Sequence, residues 1–231
     1  MASQAPTRKP RTPAERRAPR TARPGRGSAP AGARARRSAE RRDAILAAAL
    51  DEFSARGFAA TRLDDVARRA KVAKGTIYLH FADKETLFQE LIRRELSPVV
   101  GILEHASQAD ISAHQLAERL TEVFVREVFG TRRKDVVRLI ISEGPRFPKL
   151  AEFYYREVIS RVMEAIRAIL RRAIEQGELK DDTLLRFPQL LAAPGVVAIV
   201  WNGLFDRFEP LDVRALMRAQ FDLILGSGDA A

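Results

Sequence analysis

The stretch TRLDDVARRAKVAKGTIYLHF, residues 61–81, predicts two short helices joined by a tight turn. The first helix has a narrow apolar face at helical spacing, formed by Leu63, Val66, Ala67 and Ala70. Thr61 and Asp64 stand three residues apart at its start, in the order of a capping box. We therefore expect Thr61 to cap this helix, with Asp64 reaching back toward it.

The second helix of this stretch is predicted to begin near Ala73. Its apolar anchors, Ile77 and Phe81, are four residues apart and share one face. The opposite face carries Lys74, Gly75, Thr76, Tyr78 and His80. A glycine within a helix costs about 1 kcal/mol against alanine, which makes sense if a phosphate or a base edge approaches the backbone closely. The pattern fits a helix-turn-helix that enters the major groove of DNA; the alternative is a plain helical core whose charged residues are merely solvated.

The flanking residues add one helix on each side of this pair. Upstream, an amphipathic helix is predicted to end near Arg56 and Gly57, with apolar positions Ile45, Leu46, Ala49, Leu50 and Phe53. Downstream, Asp83 is positioned to cap a helix whose apolar stripe is Leu87, Phe88, Leu91 and Ile92. The helix-turn-helix is thereby predicted to lie in a small helical domain.

Residues from about Ala39 to Leu96 resemble the DNA-binding domain of the TetR family of bacterial transcriptional regulators. The motifs that carry the resemblance are FSARGF at 53–58, KGTIY at 74–78 followed by Phe81, and KETL at 84–87. Farther on, ISEGPRFPK at 141–149 resembles the effector domains of AcrR-like members. The resemblance implies an all-α fold, a homodimer and release from DNA by a small molecule.

The resemblance also implies which residues contact DNA. Phosphate contacts position such a protein, whereas contacts with base edges specify the sequence. Thr61 or Arg62 would meet a phosphate, Lys74 and Thr76 would face base edges or adjacent phosphates, and the Gly75 backbone would lie against the DNA. Tyr78 and His80 would contact a phosphate or a thymine methyl group, and Lys84 would clamp the DNA backbone.

Two positions depart from the commonest family pattern. Lys71 stands in the turn where glycine is frequent, and a left-handed backbone there is strained for lysine. Ala73 stands where a serine often caps the second helix, and loss of that cap costs about 1 kcal/mol. The charge of Lys71 could return some phosphate affinity.

Composition argues against an enzyme. The 231 residues include no cysteine, and the three histidines (His80, His105 and His114) contain no pair three to five apart. Because neither a nucleophile motif nor a glycine-rich phosphate loop is present, we expect no catalytic site, metal or cofactor.

All of the net charge of +10 lies in residues 1–37, which contain eleven lysine and arginine residues and one acid, Glu15. This proline-rich segment has almost no large apolar residue, so we expect it to be a disordered basic tail. It is either a non-specific DNA-binding arm or a passive extension, the latter including a start codon assigned too far upstream.

The rest of the chain is predicted to be all-α. Residues 38–97 form the helix-turn-helix domain, residues 98–226 a helical effector-binding and dimerisation domain, and residues 227–231 a flexible C-terminus. Helices are expected near 99–108, 112–129, 132–143, 148–176, 183–206 and 211–225, with turns at glycines and prolines between them.

Residues 187–205 contain no charge and could suit a membrane span. Their polar and helix-breaking residues instead favour a segment buried on several sides, and the family resemblance implies that it pairs with a second subunit. Six helices suffice to enclose a pocket, whose candidate lining residues are Phe124, Leu139, Phe153, Tyr154, Trp201, Asn202 and Phe205. Each could instead be ordinary core, and the Asn202 amide could bond across the dimer.

Taken together, these patterns predict a cytoplasmic, nucleoid-associated bacterial regulator that binds a palindromic operator in double-stranded DNA as a homodimer. It is expected to be a repressor that a small apolar effector releases from the operator, without membrane association. The alternatives are a sequence-tolerant DNA-binding protein dominated by its basic tail, without an effector, and a small helical enzyme. The sequence does not identify the effector, the operator or the regulated genes, nor does it distinguish repression from activation.

Overall fold

A computed structural model describes residues 31–226, and this part of the chain is helical throughout, without a strand. The expected all-α architecture is confirmed. The α-helices are α1 (Ala31–Ala60), α2 (Leu63–Arg69), α3 (Lys74–His80), α4 (Lys84–Gln108), α5 (Ala113–Val123), α6 (Arg133–Glu143), α7 (Pro148–Tyr154), α8 (Ser160–Glu175), α9 (Thr183–Arg186), α10 (Gln189–Phe205) and α11 (Val213–Leu225).

The first four helices pack around an aromatic centre. The Phe53 ring meets the Phe58 and Phe88 rings at centroid distances of 5.5 and 5.2 Å, and Phe147 meets Phe58 at 4.8 Å. Phe147 precedes α7, so this core continues into the C-terminal half of the chain. The helix-turn-helix is thus built onto a buried scaffold that both halves share.

The basic segment differs from the expectation at its end. Residues 31–37 belong to α1, whereas disorder was predicted through residue 37. Alanine and arginine are strong helix formers, and AGARARR contains no proline, so this stretch extends the following helix. The expected ending near Gly57 is confirmed, because Gly57 leaves helical geometry at φ 75° and ψ 168°. The predictions for residues 1–30 and 227–231 lie outside the described residues.

The turn between α2 and α3 agrees with the sequence at two positions. Lys71 adopts φ 56°, the left-handed conformation that glycine adopts without strain. Ala73 is the N-cap of α3 and supplies no side-chain cap, as expected. The capping prediction for α2 is wrong, because its N-cap is Arg62 and no side-chain cap bond forms there.

α4 is a single helix of 25 residues that continues through Pro98. The sequence predicted separate helices on either side of Ser97 and Pro98. A proline removes one backbone donor and disfavours a helix interior, but the packing of both halves of α4 against the core outweighs this loss. Asp83 caps the helix as predicted, its carboxylate accepting the Thr86 amide at 2.7 Å.

The C-terminal helices differ from the prediction at three places, two in the type of helix and one in its bounds. Two π-helical turns, Phe124–Phe129 and Tyr155–Ile159, follow α5 and α7 directly. The predicted helix 183–206 is divided into α9 and α10 at Phe187 and Pro188, because a residue before proline is disfavoured in the α region. No helix within residues 31–226 has the length and apolarity needed to cross a membrane.

Candidate nucleic-acid interface and apolar cavity

The solvent-facing side of α3 carries most of the predicted DNA contacts. Ile77 and Phe81 are buried and anchor the helix, while the Tyr78 residue remains 51% exposed. Gly75 is exposed, and a methyl group built onto it would meet nothing within 4 Å. Thr76 and His80 are half-buried on the same short helix. This surface can approach a groove closely.

The N-terminus of α2 separates the two residues predicted there. Arg62 is exposed and forms no ion pair with any residue in 31–226. Thr61 is buried, and its hydroxyl donates to the carbonyl oxygens of Gly57 at 2.8 Å and Glu52 at 3.1 Å. The Thr61 side chain therefore ties α2 to the end of α1 instead of facing a phosphate, which corrects the predicted contact.

Lys84 also has a structural role that the sequence did not indicate. Its ammonium group donates to the carbonyl oxygens of Phe58, Ala59 and Thr61 at 2.7, 2.9 and 3.1 Å. Burial lowers the pKa of Lys84, although Glu143 opposes this shift. Since an ammonium group has three donors, all three are engaged by these carbonyl oxygens, and the contact of Lys84 with a DNA phosphate stays a prediction.

Lys74 pairs with an acid of the preceding helix. Its Nζ lies 2.9 Å from an Asp64 carboxylate oxygen, and this hydrogen bond raises the pKa of Lys74. Both side chains are more than half exposed, so water screens the ion pair. Lys74 can therefore exchange Asp64 for a phosphate or a base edge at a small cost in free energy. Lys74 remains cationic and accessible.

Leu79 is a surface residue that the sequence analysis did not single out. It is 84% exposed on α3, between the exposed Tyr78 and the half-buried His80. The sequence could have identified Leu79 as a surface residue, because it lies off the helix face that Ile77 and Phe81 share. An exposed leucine on this helix suits apolar contact with a thymine methyl group.

The C-terminal half contains a partly open apolar cavity of about 170 Å³. Its wall is formed by α4, α5, α8 and α10, the two π-helical turns, and single residues of α6, α7 and α11. Tyr154 is the only lining residue whose side chain carries a nitrogen or oxygen atom. The cavity wall is therefore apolar, with a single side chain that can form a hydrogen bond.

Both π-helical turns of the described chain meet at this cavity. Phe124 and Val128 line it from the first, and Val158 and Ile159 from the second. The π-helical geometry frequently marks functional sites. Phe124 also packs tightly on α10, since a methyl group at Gly195 would lie only 2.9 Å from its ring. Periodicity alone cannot show such turns.

Burial raises the pKa of Tyr154 to about 12, and no hydrogen bond within residues 31–226 contributes to this shift. The folded protein thus favours the neutral phenol of Tyr154. The contribution of this group to the free energy of unfolding is lost as the pH rises from about 10, the ordinary pKa of tyrosine, to about 12. We expect wild type to lose up to about 2–3 kcal/mol more unfolding free energy across this window than Tyr154→Phe does.

Denaturant unfolding at several alkaline pH values measures this difference. Ultraviolet absorbance of tyrosinate supplies the control, because Tyr78 and Tyr155 are exposed and remain in the variant. Equal alkaline losses in the two proteins would contradict the placement of Tyr154 in an apolar site.

The other predicted pocket residues lie elsewhere. Leu139 and Phe153 belong to the core shared with the helix-turn-helix and do not line the cavity. Trp201, Asn202 and Phe205 lie at the end of α10, away from the cavity wall. Of the seven candidates, Phe124 and Tyr154 are brought together at the cavity.

The end of α10 instead holds the loop that leads to α11. The Trp201 indole donates to the Glu209 carbonyl at 2.8 Å. The Asn202 side-chain nitrogen donates to the Leu211 carbonyl oxygen at 3.3 Å. The Asn202 side-chain oxygen accepts a hydrogen bond from the Leu211 backbone N–H at 3.0 Å. These bonds satisfy the polar side chains within one subunit, so neither an effector nor a second subunit is needed to explain them.

Two family profiles match the chain in its two halves. Residues 45–91 match "Bacterial regulatory proteins, tetR family", and residues 112–220 match "Tetracyclin repressor-like, C-terminal domain". The first contains α2, α3 and the start of α4. The second contains the helices that close the cavity from α5 onward.

Individual relatives agree with these profiles. The HTH-type transcriptional repressor BepR of Brucella suis is 33% identical over 153 residues, which are 63% of this chain and 71% of BepR. The HTH-type transcriptional regulator SrpR of Pseudomonas putida is 29% identical over 61% of this chain, which spans 64% of the length of SrpR. The SmeT–triclosan complex is similar in structure, with a TM-score of 0.70, 21% identity, and coverage of 81% of this chain and 91% of SmeT.

Proposed function

The chain belongs to the tetR family of bacterial regulatory proteins, and we propose that it is a homodimeric repressor released from its operator by a compact apolar molecule. As a member of that family it is a transcriptional regulator with a helix-turn-helix. The repression, the release and the chemistry of the effector are the parts that we propose. The site of action is the cytoplasm, because the operator DNA is there.

The accessible side of α3 supports operator binding. It offers the cation of Lys74, the open backbone at Gly75 and the phenol of Tyr78. A dimer carries two such helices and fits a palindromic site whose half-sites are about 34–36 Å apart. Phosphate contacts would then come from Arg62, with base contacts from Lys74, Thr76 and Leu79.

The cavity supports a compact apolar effector. An apolar cavity of about 150 Å³ stays dry and binds benzene, and this one measures about 170 Å³. Tyr154 supplies one hydroxyl that no protein group within residues 31–226 satisfies. The preferred ligand is therefore one aromatic ring with one hydrogen-bonding substituent, and the complex of SmeT with triclosan supports an apolar ligand for such a fold.

α4 connects the helix-turn-helix with the cavity. Its first residue, Lys84, binds the carbonyls at the end of α1, and its later residues Leu96, Val100 and Leu103 line the cavity. An occupant shifts the protein away from DNA only through its differential affinity for the two states. The DNA-bound form must therefore have a smaller or reshaped cavity.

Selection from random duplex DNA will supply an operator, and fluorescence anisotropy will then measure release by p-cresol and by toluene. We expect p-cresol to release the operator at lower concentration than toluene, because its hydroxyl can pair with Tyr154. We expect Ala192→Phe to fill the cavity and abolish the response, at a cost of about 1–3 kcal/mol in stability. Operator affinity without ligand should be retained.

Ala219→Phe is the matched control, because it makes the same change at an exposed position on α11. It should respond as wild type does. Release that persists in Ala192→Phe would contradict the cavity as the effector site. Failure to select any preferred sequence would favour the sequence-tolerant alternative.

A further inference from the structure

A basic groove lies between the N-terminal part of α1 and the α2–α3 turn. Arg37, Arg41 and Lys71 contribute its cations, beside the smaller side chains of Ala44, Ala70 and Val72. Arg34 stands on the same face of α1, since positions 34, 37 and 41 follow helical spacing. The groove thus continues along the helix toward the basic N-terminal residues.

The cations of this groove are exposed, and they form no ion pair with any other residue between 31 and 226. The one acid in the groove, Glu40, lies 3.7 Å from Arg36, which partly neutralises it. By contrast, Arg42 on the next face of α1 pairs with Glu90 and lies over the Phe81 ring. Packing and pairing therefore account for Arg42, whereas Arg37, Arg41 and Lys71 form no ion pair within residues 31–226 and give the groove a net positive charge.

The backbone at Lys71 gives a second, independent indication. It is the only residue other than glycine with a positive φ in 31–226. Left-handed geometry is unfavourable for residues with a Cβ atom, and such strain is concentrated at functional sites. The Lys71 side chain is exposed, so packing does not explain why lysine stands there. A charge directed into the groove does.

We propose that Arg37, Arg41 and Lys71 hold the phosphate backbone of DNA beside the groove that α3 enters, which rests on the DNA binding proposed above. Lys71 lies three residues before Lys74, so this surface adjoins α3. The planar guanidinium of arginine matches phosphate oxygens. The groove lacks the large exposed apolar side chains that a membrane surface would favour. It contributes affinity and salt dependence without reading sequence.

The test is the triple variant Arg37→Gln, Arg41→Gln, Lys71→Gly. Each lost phosphate contact lowers the slope of log affinity against log salt by about 0.9, so a dimer that uses all six cations should lose about 5 units of slope. Affinities for the selected operator and for a random duplex of equal length should fall by similar factors, each about tenfold or more. Glycine relieves the strained turn, so the fold should be retained, as circular dichroism will show.

The control triple is Arg119→Gln, Arg126→Gln, Lys180→Gln, which removes the same charge from exposed positions in the C-terminal half. An equal loss of slope in this control, or an unchanged slope in the groove variant, would overturn the proposal. So would binding of wild type, but not the variant, to phosphatidylglycerol vesicles with DNA affinity unaltered. Tyr78→Ala separates the two proposals: it should lose operator preference and keep the salt slope. Wild-type protein without DNA affinity would refute both.

Discussion

Val200→Glu combined with Leu204→Glu is expected to convert the dimer into a folded monomer and to remove specific operator binding. α10 contains no charged residue, and one of its faces leaves Val196, Val197, Val200 and Leu204 at 40–63% exposure. Contiguous exposed apolar side chains mark protein interfaces. A carboxylate buried there without a partner would cost several kcal/mol per subunit.

Loss of the second subunit also removes the second recognition helix. Affinity should fall toward the non-specific range, about 10³-fold or more below that of the dimer. Sedimentation velocity measures the oligomeric state and anisotropy measures operator affinity. Ile141→Glu is the control for a new carboxylate as such, since it places one at an exposed apolar position of α6. A wild-type protein that sediments as a monomer at micromolar concentration would contradict the predicted interface.

Lys74→Ala combined with Tyr78→Ala is expected to abolish operator preference without changing the dimer. Each side chain projects from the accessible face of α3, and loss of a good contact costs about 1–3 kcal/mol of binding. Two such losses sum to about 2–6 kcal/mol, so the double variant should bind at least about thirtyfold more weakly. Circular dichroism will confirm the fold, because neither side chain is buried.

The matched control makes the same two substitutions at exposed positions in the C-terminal half, as Lys149→Ala and Tyr155→Ala. Operator affinity should then stay at the wild-type level. If the α3 double variant retains its affinity as a folded dimer, α3 is not the recognition helix.

Local patterns predicted the helices well, because each depends on neighbours in the sequence. Val66, Ala67 and Ile77 are buried as their spacing required, and the left-handed turn at Lys71 agrees with the glycine that the family resemblance implies at this position. The same reasoning did not predict the hydrogen bonds of Thr61 and Lys84. Their partners are carbonyl oxygens at the end of α1, 4 to 26 residues earlier, which only the packed fold brings within reach.

The cavity was harder to predict than the helices that enclose it. Phe124 and Tyr154 were among the expected lining residues, but so were Trp201 and Asn202, which bind the backbone of the loop before α11. An aromatic or amide side chain in an apolar helix has the same sequence signature whether it faces a cavity or a loop. The π-helical turns at Phe124–Phe129 and Tyr155–Ile159 also change the directions of the side chains that line the cavity, and a regular helical period does not describe this change.

Because α4 is one continuous helix, a tilt at one of its ends displaces the other end. At about 1.5 Å per residue, Lys84 and Leu103 are about 28 Å apart along the helix axis, and the two ends touch the α1 bend and the cavity. A tilt of about 5° about either end therefore displaces the other by about 2.5 Å. Pro98 removes one backbone donor near the cavity end without interrupting the helix. In the release proposed above, a ring-sized occupant would therefore need only a small tilt of α4 to displace the helix-turn-helix.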